Sequence, residues 1–334
     1  MRRIGTWLIL SSITIGLAVP FAYGGVAALN TLREVPAAKF IFLLGMAMLG
    51  WACNAGRLHI LARNLGTNLT AKTAVSTIIA CEFAAVATPL GSGSLPMHIL
   101  LLSRQGITAG RSMAIMAMDR VMDLIFFATA IPCAIAAYVY YSGHSDLLRW
   151  GITAGILLMS GLTLLYALLR HHRLLVRCTG RVIHYIPWLK KKRRRLTRLL
   201  LQFHDGIRQL FAMDSISLLL LYALCMSHWL IRYSILPLLL GFTGHSIPWS
   251  YLFVVQGLVL FAGQLTMLPG GGGSVEFALG LLLSPYLTPA VTAATLLGWR
   301  FITFHWSLLV GAPVFLFIMG RRPVRLILDK APVD

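Results

Sequence analysis

Four arginines and four carboxylates interrupt stretches of this chain that are otherwise apolar: Arg57, Arg120, Arg232 and Arg300 against Glu82, Asp119, Asp123 and Glu276. A charge at membrane depth is costly and faces a partner or a polar cavity. Arginine can hold a phosphate through two parallel N–H bonds, which makes Arg120 and Arg300 the leading candidates for gripping an anionic headgroup. Asp123 lies one helical turn after Arg120 on the same face, so the two pair or turn into a cavity together. Two further stretches carry unusual backbone: "PLGSGS" from Pro89 to Ser94 and "PGGGGSVE" from Pro269 to Glu276. Glycine permits positive φ and leaves amides uncovered, so Gly91 and Gly93, and Gly271, Gly272 and Gly273, suit anion-sized turns. Pro269 ends one helix in this reading, and Ser94 and Ser274 each start one. The competing explanations are structural: neutral ion pairs between helices, snorkelling of Arg57 and Arg232 at helix ends, and small residues that let helices approach.

The elements that must position these residues are membrane helices. The 334-residue chain is 58% hydrophobic and 12% charged, a balance that excludes an ordinary soluble domain. The expected fold is an all-α polytopic membrane protein, one integral domain over 1–334. It has six full spans near residues 5–29, 39–58, 112–141, 150–169, 215–240 and 290–319. The first reads as an uncleaved span rather than a removed signal. Two apolar stretches, 73–103 and 250–283, are each broken by proline and glycine and have like-sided ends by the distribution of Lys and Arg. They are expected to be re-entrant hairpins entering from opposite sides. Lys and Arg place both termini in the cytoplasm, so the location is the inner, cytoplasmic membrane. Eleven of the 29 Lys and Arg fall within 170–198, in a basic cytoplasmic loop spanning 170–213. Its expected partner is anionic lipid headgroups, not nucleic acid.

The two broken stretches are also related to each other. "PLGSGS" and "PGGGGS" share the pattern P-x-G-x-G-S, and the offset that carries Pro89 onto Pro269 also carries Thr108 onto Thr288 and Arg120 onto Arg300. One span earlier, "RLHILARNLG" and "RYSILPLLLG" match at a slightly shorter offset, which carries Arg57 onto Arg232. An internal duplication follows, with repeats over 1–141 and 148–322; three spans between the hairpins make the copies inverted. Five cysteines form no CxxC pair, and His98, His228 and His305 stand alone as helix-packing residues, so no metal or cofactor is expected.

The motifs "PLGSG" with "MDRVMD", "PGGGGSVE", and the arginine of "LLGWRFITFHWSLLVG" resemble the transmembrane region of lysylphosphatidylglycerol synthases and its stand-alone, flippase-like relatives. The likeness spans nearly the whole chain, and the second glycine motif is its most specific part. Two departures stand out: "GSGSLP" lacks the family's glutamate after the first glycines, and Asp119 replaces a glutamate. With the chain ending at Asp334, the resemblance implies the lipid-translocating part without the synthase domain. The expectation is therefore a non-enzymatic flippase or transporter of an amphiphilic, anionic or phosphate-bearing membrane lipid. A membrane-embedded enzyme of headgroup modification is one alternative, with Ser274, Glu276 and His305 as its nearest reactive set. A scaffold that recruits envelope-lipid biosynthetic enzymes is the other.

Overall fold

The computed structural model describes residues 14–16, 18–142, 155–156, 160, 163 and 193–320. All regular structure among them is helical, as lipid demands of a chain that cannot give its backbone polar groups to water. In chain order the helices are α1 (Ala27–Arg33), α2 (Ala37–Asn64), α3 (Ala71–Val86), α4 (Ser94–Ser103), α5 (Ala109–Ser142), α6 (Arg193–Phe211), α7 (Ser215–Phe242), α8 (Trp249–Leu265), α9 (Ser274–Leu283), α10 (Pro289–Arg300) and α11 (Trp306–Gly320). One π-helical turn, Phe301–His305, joins α10 to α11.

Four stretches are long and apolar enough to cross a bilayer: Ala37–Asn64, Ala109–Tyr141, Ser215–Phe242 and Pro289–Gly320. They fall on four of the expected spans. The span expected over 5–29 is, in its described part, a helix pair (Thr14–Gly24 and Ala27–Arg33) bent by 96°. The span expected at 150–169 and the basic run at 170–192 lie almost wholly outside the described residues, as do both termini. The two apolar stretches with glycine breaks are built differently from the spans. Each is two helices around a 3-10 turn, Pro89–Gly91 or Pro269–Gly271. Helices α4 and α9 have 10 residues each, a rise of about 15 Å, half of a hydrocarbon core. Helices α8 and α9 pack against each other, and Gly263 lets them close, since a methyl there would run into Val275.

Contacts cluster into two compact units. One comprises Gly56–Ala74 and Leu101–Met226. In it the amphipathic helix α6 lies along α5. The approach depends on two glycines: a methyl on Gly110 would sit 2.6 Å from the Leu199 carbonyl, and one on Gly206 would sit 2.8 Å from Ala114. The other unit comprises Met1–Ala55, Val75–Leu100 and Ser227–Asp334, and it holds both glycine breaks. Its buried hydrophobic residues include Trp299, Phe253, Leu236 and Ala293. Pro237 lies inside α7 and has no N–H to give the Tyr233 carbonyl one turn earlier. Gln256 of α8, 1% exposed, supplies one: its amide donates to Tyr233 O at 3.0 Å.

Candidate functional site

The second break is held by a closed set of hydrogen bonds. Gly270 (φ 59°), Gly271 (φ 66°) and Gly273 (φ 85°) all occupy left-handed backbone, which a side chain resists. Gly270 has a second constraint, because a methyl on it would overlap the Phe304 ring. The turn ends where α9 begins, and the Gly273 amide donates to Glu276 Oε2 at 2.7 Å. A carboxylate in the first turn also suits the positive end of the helix. The other carboxylate oxygen, Oε1, accepts from Arg300 Nε at 2.5 Å. Arg300 Nη2 in turn donates to the carbonyls of Gly270 at 2.9 Å and Gly271 at 3.4 Å. Both side chains are buried, at 5% and 2% exposure. The guanidinium also lies 5.2 Å from the centre of the Phe304 ring and 5.6 Å from that of Trp299. The anion filling this glycine turn is thus the chain's own Glu276, and Arg300 answers the carbonyls that the break leaves free of helical partners. Ser274 donates to Gly271 O at 2.9 Å and faces Thr266 at 3.2 Å. Pro269 starts the 3-10 turn, and Gly272 donates to its carbonyl at 3.2 Å.

The first break shares backbone angles with the second at two motif-matched positions and departs from it after them, where Ser92 has ψ -20° against 127° at Gly272 and Gly93 lacks the positive φ of Gly273. Leu90 has φ 57° and ψ 15°, against 59° and 14° at Gly270; Gly91 has φ 65°, against 66° at Gly271. Gly93 corresponds to Gly273, and its amide also finds a side-chain acceptor, Thr88 Oγ1 at 2.7 Å. Thr88 itself donates to Ala84 O at 2.7 Å, and a methyl on Gly93 would crowd both groups. Thr88 therefore does here, as a neutral side chain, what Glu276 does for the second break. Ser94 opens α4, with His98 within 3.5 Å of its hydroxyl. The 3-10 turns of the two breaks lie against each other.

Arg120 and Asp123 belong to the unit that does not hold the breaks. Arg57 Nη2 reaches Asp119 Oδ1 at 2.6 Å and Asp123 Oδ1 at 2.8 Å, and the Asp119 carbonyl at 2.9 Å. Arg120 meets the remaining oxygens of the two aspartates, at 2.9 Å from Asp123 and 3.3 Å from Asp119. The Cys225 thiol donates to Asp123 at 3.5 Å. Two arginines and two aspartates thus form one neutral cluster. Arg57 is its buried member, 1% exposed, so it does not snorkel at a helix end. Arg120 is the open member, with 65% of its side chain exposed.

Arg232 occupies a different setting, a cleft walled by α2, α7, the π turn and the start of α11. Its lining includes Gly50, Trp51, His228, Thr303 and Ser307. The partnerships of Arg57 and Thr88 escape a reading of the sequence, because each depends on a neighbour that only the fold brings near. The one available signal was the alignment of Arg57 with Arg232 between the repeats. Among the enzyme candidates, Ser274 and Glu276 direct their hydrogen bonds to the break and to Arg300. His305 stacks instead on Phe301 and meets Phe304 edge-on.

Several apolar spans and intramembrane charges held in hydrogen-bonded clusters define a multi-pass helical membrane protein. Residues 7–311 match the family described as the lysylphosphatidylglycerol synthase TM region, and the chain belongs to that family. It is also similar to a UPF0104 membrane protein of Archaeoglobus fulgidus, 23% identical over 280 residues that cover 81% of this chain and 83% of that one. The family's description ties it to membrane lipid.

Proposed function

We propose that this chain moves an amphiphilic, phosphate-bearing lipid between the leaflets of the cytoplasmic membrane, through a cavity where two inverted repeats meet. The observation that carries the reading is the pair of glycine breaks. The same unusual turn recurs at Pro89–Gly91 and Pro269–Gly271 with nearly identical backbone angles at Leu90 and Gly270, and the two turns lie together in one unit. Irregular backbone at membrane depth is tolerated where it is buried in protein or lines a wet cavity. Broken helices in corresponding positions of two repeats are a transporter's means of building a polar site near the midplane.

In this reading α3 with α4, and α8 with α9, are re-entrant hairpins from opposite sides. The Glu276–Arg300 pair fixes the second break, and the lipid tails stay in the bilayer while one repeat rocks against the other. The chain performs no covalent chemistry. Its termini lie in the cytoplasm, and the basic segment rests on anionic headgroups of that leaflet.

Reconstitution tests the reading. Proteoliposomes carrying a headgroup-labelled anionic phospholipid should expose inner-leaflet label to an impermeant quencher faster than empty liposomes do. Glu276→Gln and Arg300→Ala, compared at equal folded protein, should slow the exposure. Equal rates with and without the wild-type protein refute transport; equal rates in wild type and both variants place the path elsewhere.

A further inference from the structure

Among the described residues, Arg232 is the arginine of the apolar spans that meets no carboxylate. It makes no hydrogen bond or ion pair among the described residues, whereas Arg57, Arg120 and Arg300 are each held by carboxylates. It lies well inside α7, which runs on to Phe242, so about 15 Å of helix separates it from that end. That distance is beyond the reach of a snorkelling side chain. The repeat reading accounts for the imbalance. The aspartates that neutralise Arg57 are Asp119 and Asp123; the alignment that carries Arg120 onto Arg300 puts Trp299 and Thr303 in their places. In its apolar segments the second copy has one carboxylate, Glu276, and Arg300 takes it. The first copy's cluster is neutral, and the second is left with one positive charge, at Arg232.

The cleft around Arg232 holds donors that the described residues do not pair. Ser307 is 3% exposed and Trp51 4%; both line the cleft, and neither hydroxyl nor indole N–H hydrogen-bonds any described residue. His228 is committed elsewhere: its Nδ1 is 2.9 Å from the Gly50 carbonyl, which can only accept, so Nδ1 carries a proton, and Nε2 faces the Asn54 amide at 3.4 Å. No Asp or Glu is among the residues lining the cleft, and Met46, Ile235 and Ile302 complete its walls. Apolar walls strengthen the attraction between a guanidinium and an anion. We infer that this cleft binds a single tetrahedral oxyanion of the phosphate type, gripped by the Arg232 fork with the Ser307 hydroxyl and the Trp51 N–H as further donors. Donors on three separate elements suit a tetrahedral group better than a planar carboxylate. A lipid headgroup as the source of that oxyanion rests on the transport reading; a free phosphate does not.

Calorimetric titration of the detergent-solubilised full chain tests the inference, with inorganic phosphate, dihexanoyl phosphatidic acid, dihexanoylglycerol and octanoate as probes. At least one phosphate-bearing probe should bind, and dihexanoylglycerol should not. Losing a charge-assisted pair should weaken binding roughly 10- to 100-fold in Arg232→Gln. Arg232→Lys should retain part of it, and Ser307→Ala should weaken it a few-fold. Binding of the short lipid alone assigns the site to a headgroup; binding of inorganic phosphate alone assigns it to a soluble anion; competition between the two shows that the phosphate itself is read. The inference is overturned if neither phosphate probe binds, if octanoate binds more tightly than both, or if Arg232→Gln binds like wild type. Should Arg232→Gln fail to fold, wild-type affinity in both Arg232→Lys and Ser307→Ala overturns it equally. The transport reading fails separately: a wild type that binds through Arg232 but does not translocate lipid keeps the cleft and loses the transporter. One that translocates without Arg232-dependent binding does the reverse.

Discussion

Replacing Arg300 by methionine keeps most of the side chain's volume and removes the charge that closes the second break. Three interactions go with it: the 2.5 Å contact to Glu276 and the bonds to the carbonyls of Gly270 and Gly271. Removing one partner of a buried ion pair costs about 3–5 kcal/mol, mostly because the other charge is stranded. The Gly270 carbonyl, left unpaired, adds about 1 kcal/mol, while Gly271 keeps the Ser274 hydroxyl. Glu276 keeps the Gly273 amide, which offsets part of the loss, so the expected destabilisation is about 3–6 kcal/mol. For a chain of this size that corresponds to a fall of roughly 6–12 °C in melting midpoint. Tryptophan fluorescence from the eight tryptophans reads it, in one detergent and at one scan rate. Glu276→Gln, which preserves an acceptor for Gly273, should cost about 1–3 kcal/mol. The double variant should lose at least about 2 kcal/mol less than the sum of the single losses. A midpoint for Arg300→Met within about 2 °C of wild type, or single losses that simply add, would refute the closed network.

Three further outcomes follow from the same geometry. Gly270→Ala places a methyl at φ 59° and into the Phe304 ring, so it should cost about 2–5 kcal/mol; Phe304→Leu should relieve only part of that loss, as thermal unfolding of the double variant will show. Arg57→Met should cost about 3–5 kcal/mol by removing the buried partner of buried Asp123, whereas Arg120→Ala, with its side chain 65% exposed, should stay within about 1 kcal/mol; equal losses would contradict the assignment of buried and open arginines. Gln256→Leu should cost about 1–3 kcal/mol by orphaning the Tyr233 carbonyl. Adding Pro237→Ala should restore most of it, because the helix can then supply its own donor.

The helices were legible from residue type alone, because an apolar run long enough to cross lipid has few other ways to satisfy its backbone. The breaks were legible from Pro89, Gly91, Pro269 and Gly271, and their matching motifs pointed to the correspondence that the dihedrals at Leu90 and Gly270 display. Partnerships were not legible. Glycines beside a carboxylate suggest a nest for a ligand, and nothing local says that Glu276, in the first turn of the next helix, folds back to fill it. Arg57 looks like a helix-end cation until α5 sets Asp119 and Asp123 against it, from beyond α3 and α4 in the chain. Arg232 gives no sign by itself that the cleft around it is lined by no carboxylate. At the offset that matches the two glycine motifs, Trp299 and Thr303 stand where Asp119 and Asp123 do.

Selection of a phosphate-bearing lipid is the claim on which both the transport reading and the lipid-headgroup assignment of the Arg232 cleft depend, and mass spectrometry of retained lipid tests it most directly. The full chain, purified from its membrane in mild detergent, should carry a phosphate-bearing lipid enriched several-fold over the bulk extract, and Arg232→Gln should lose that enrichment while keeping its fold. Retained lipid that mirrors the bulk membrane, or an enrichment unchanged by Arg232→Gln, would contradict it.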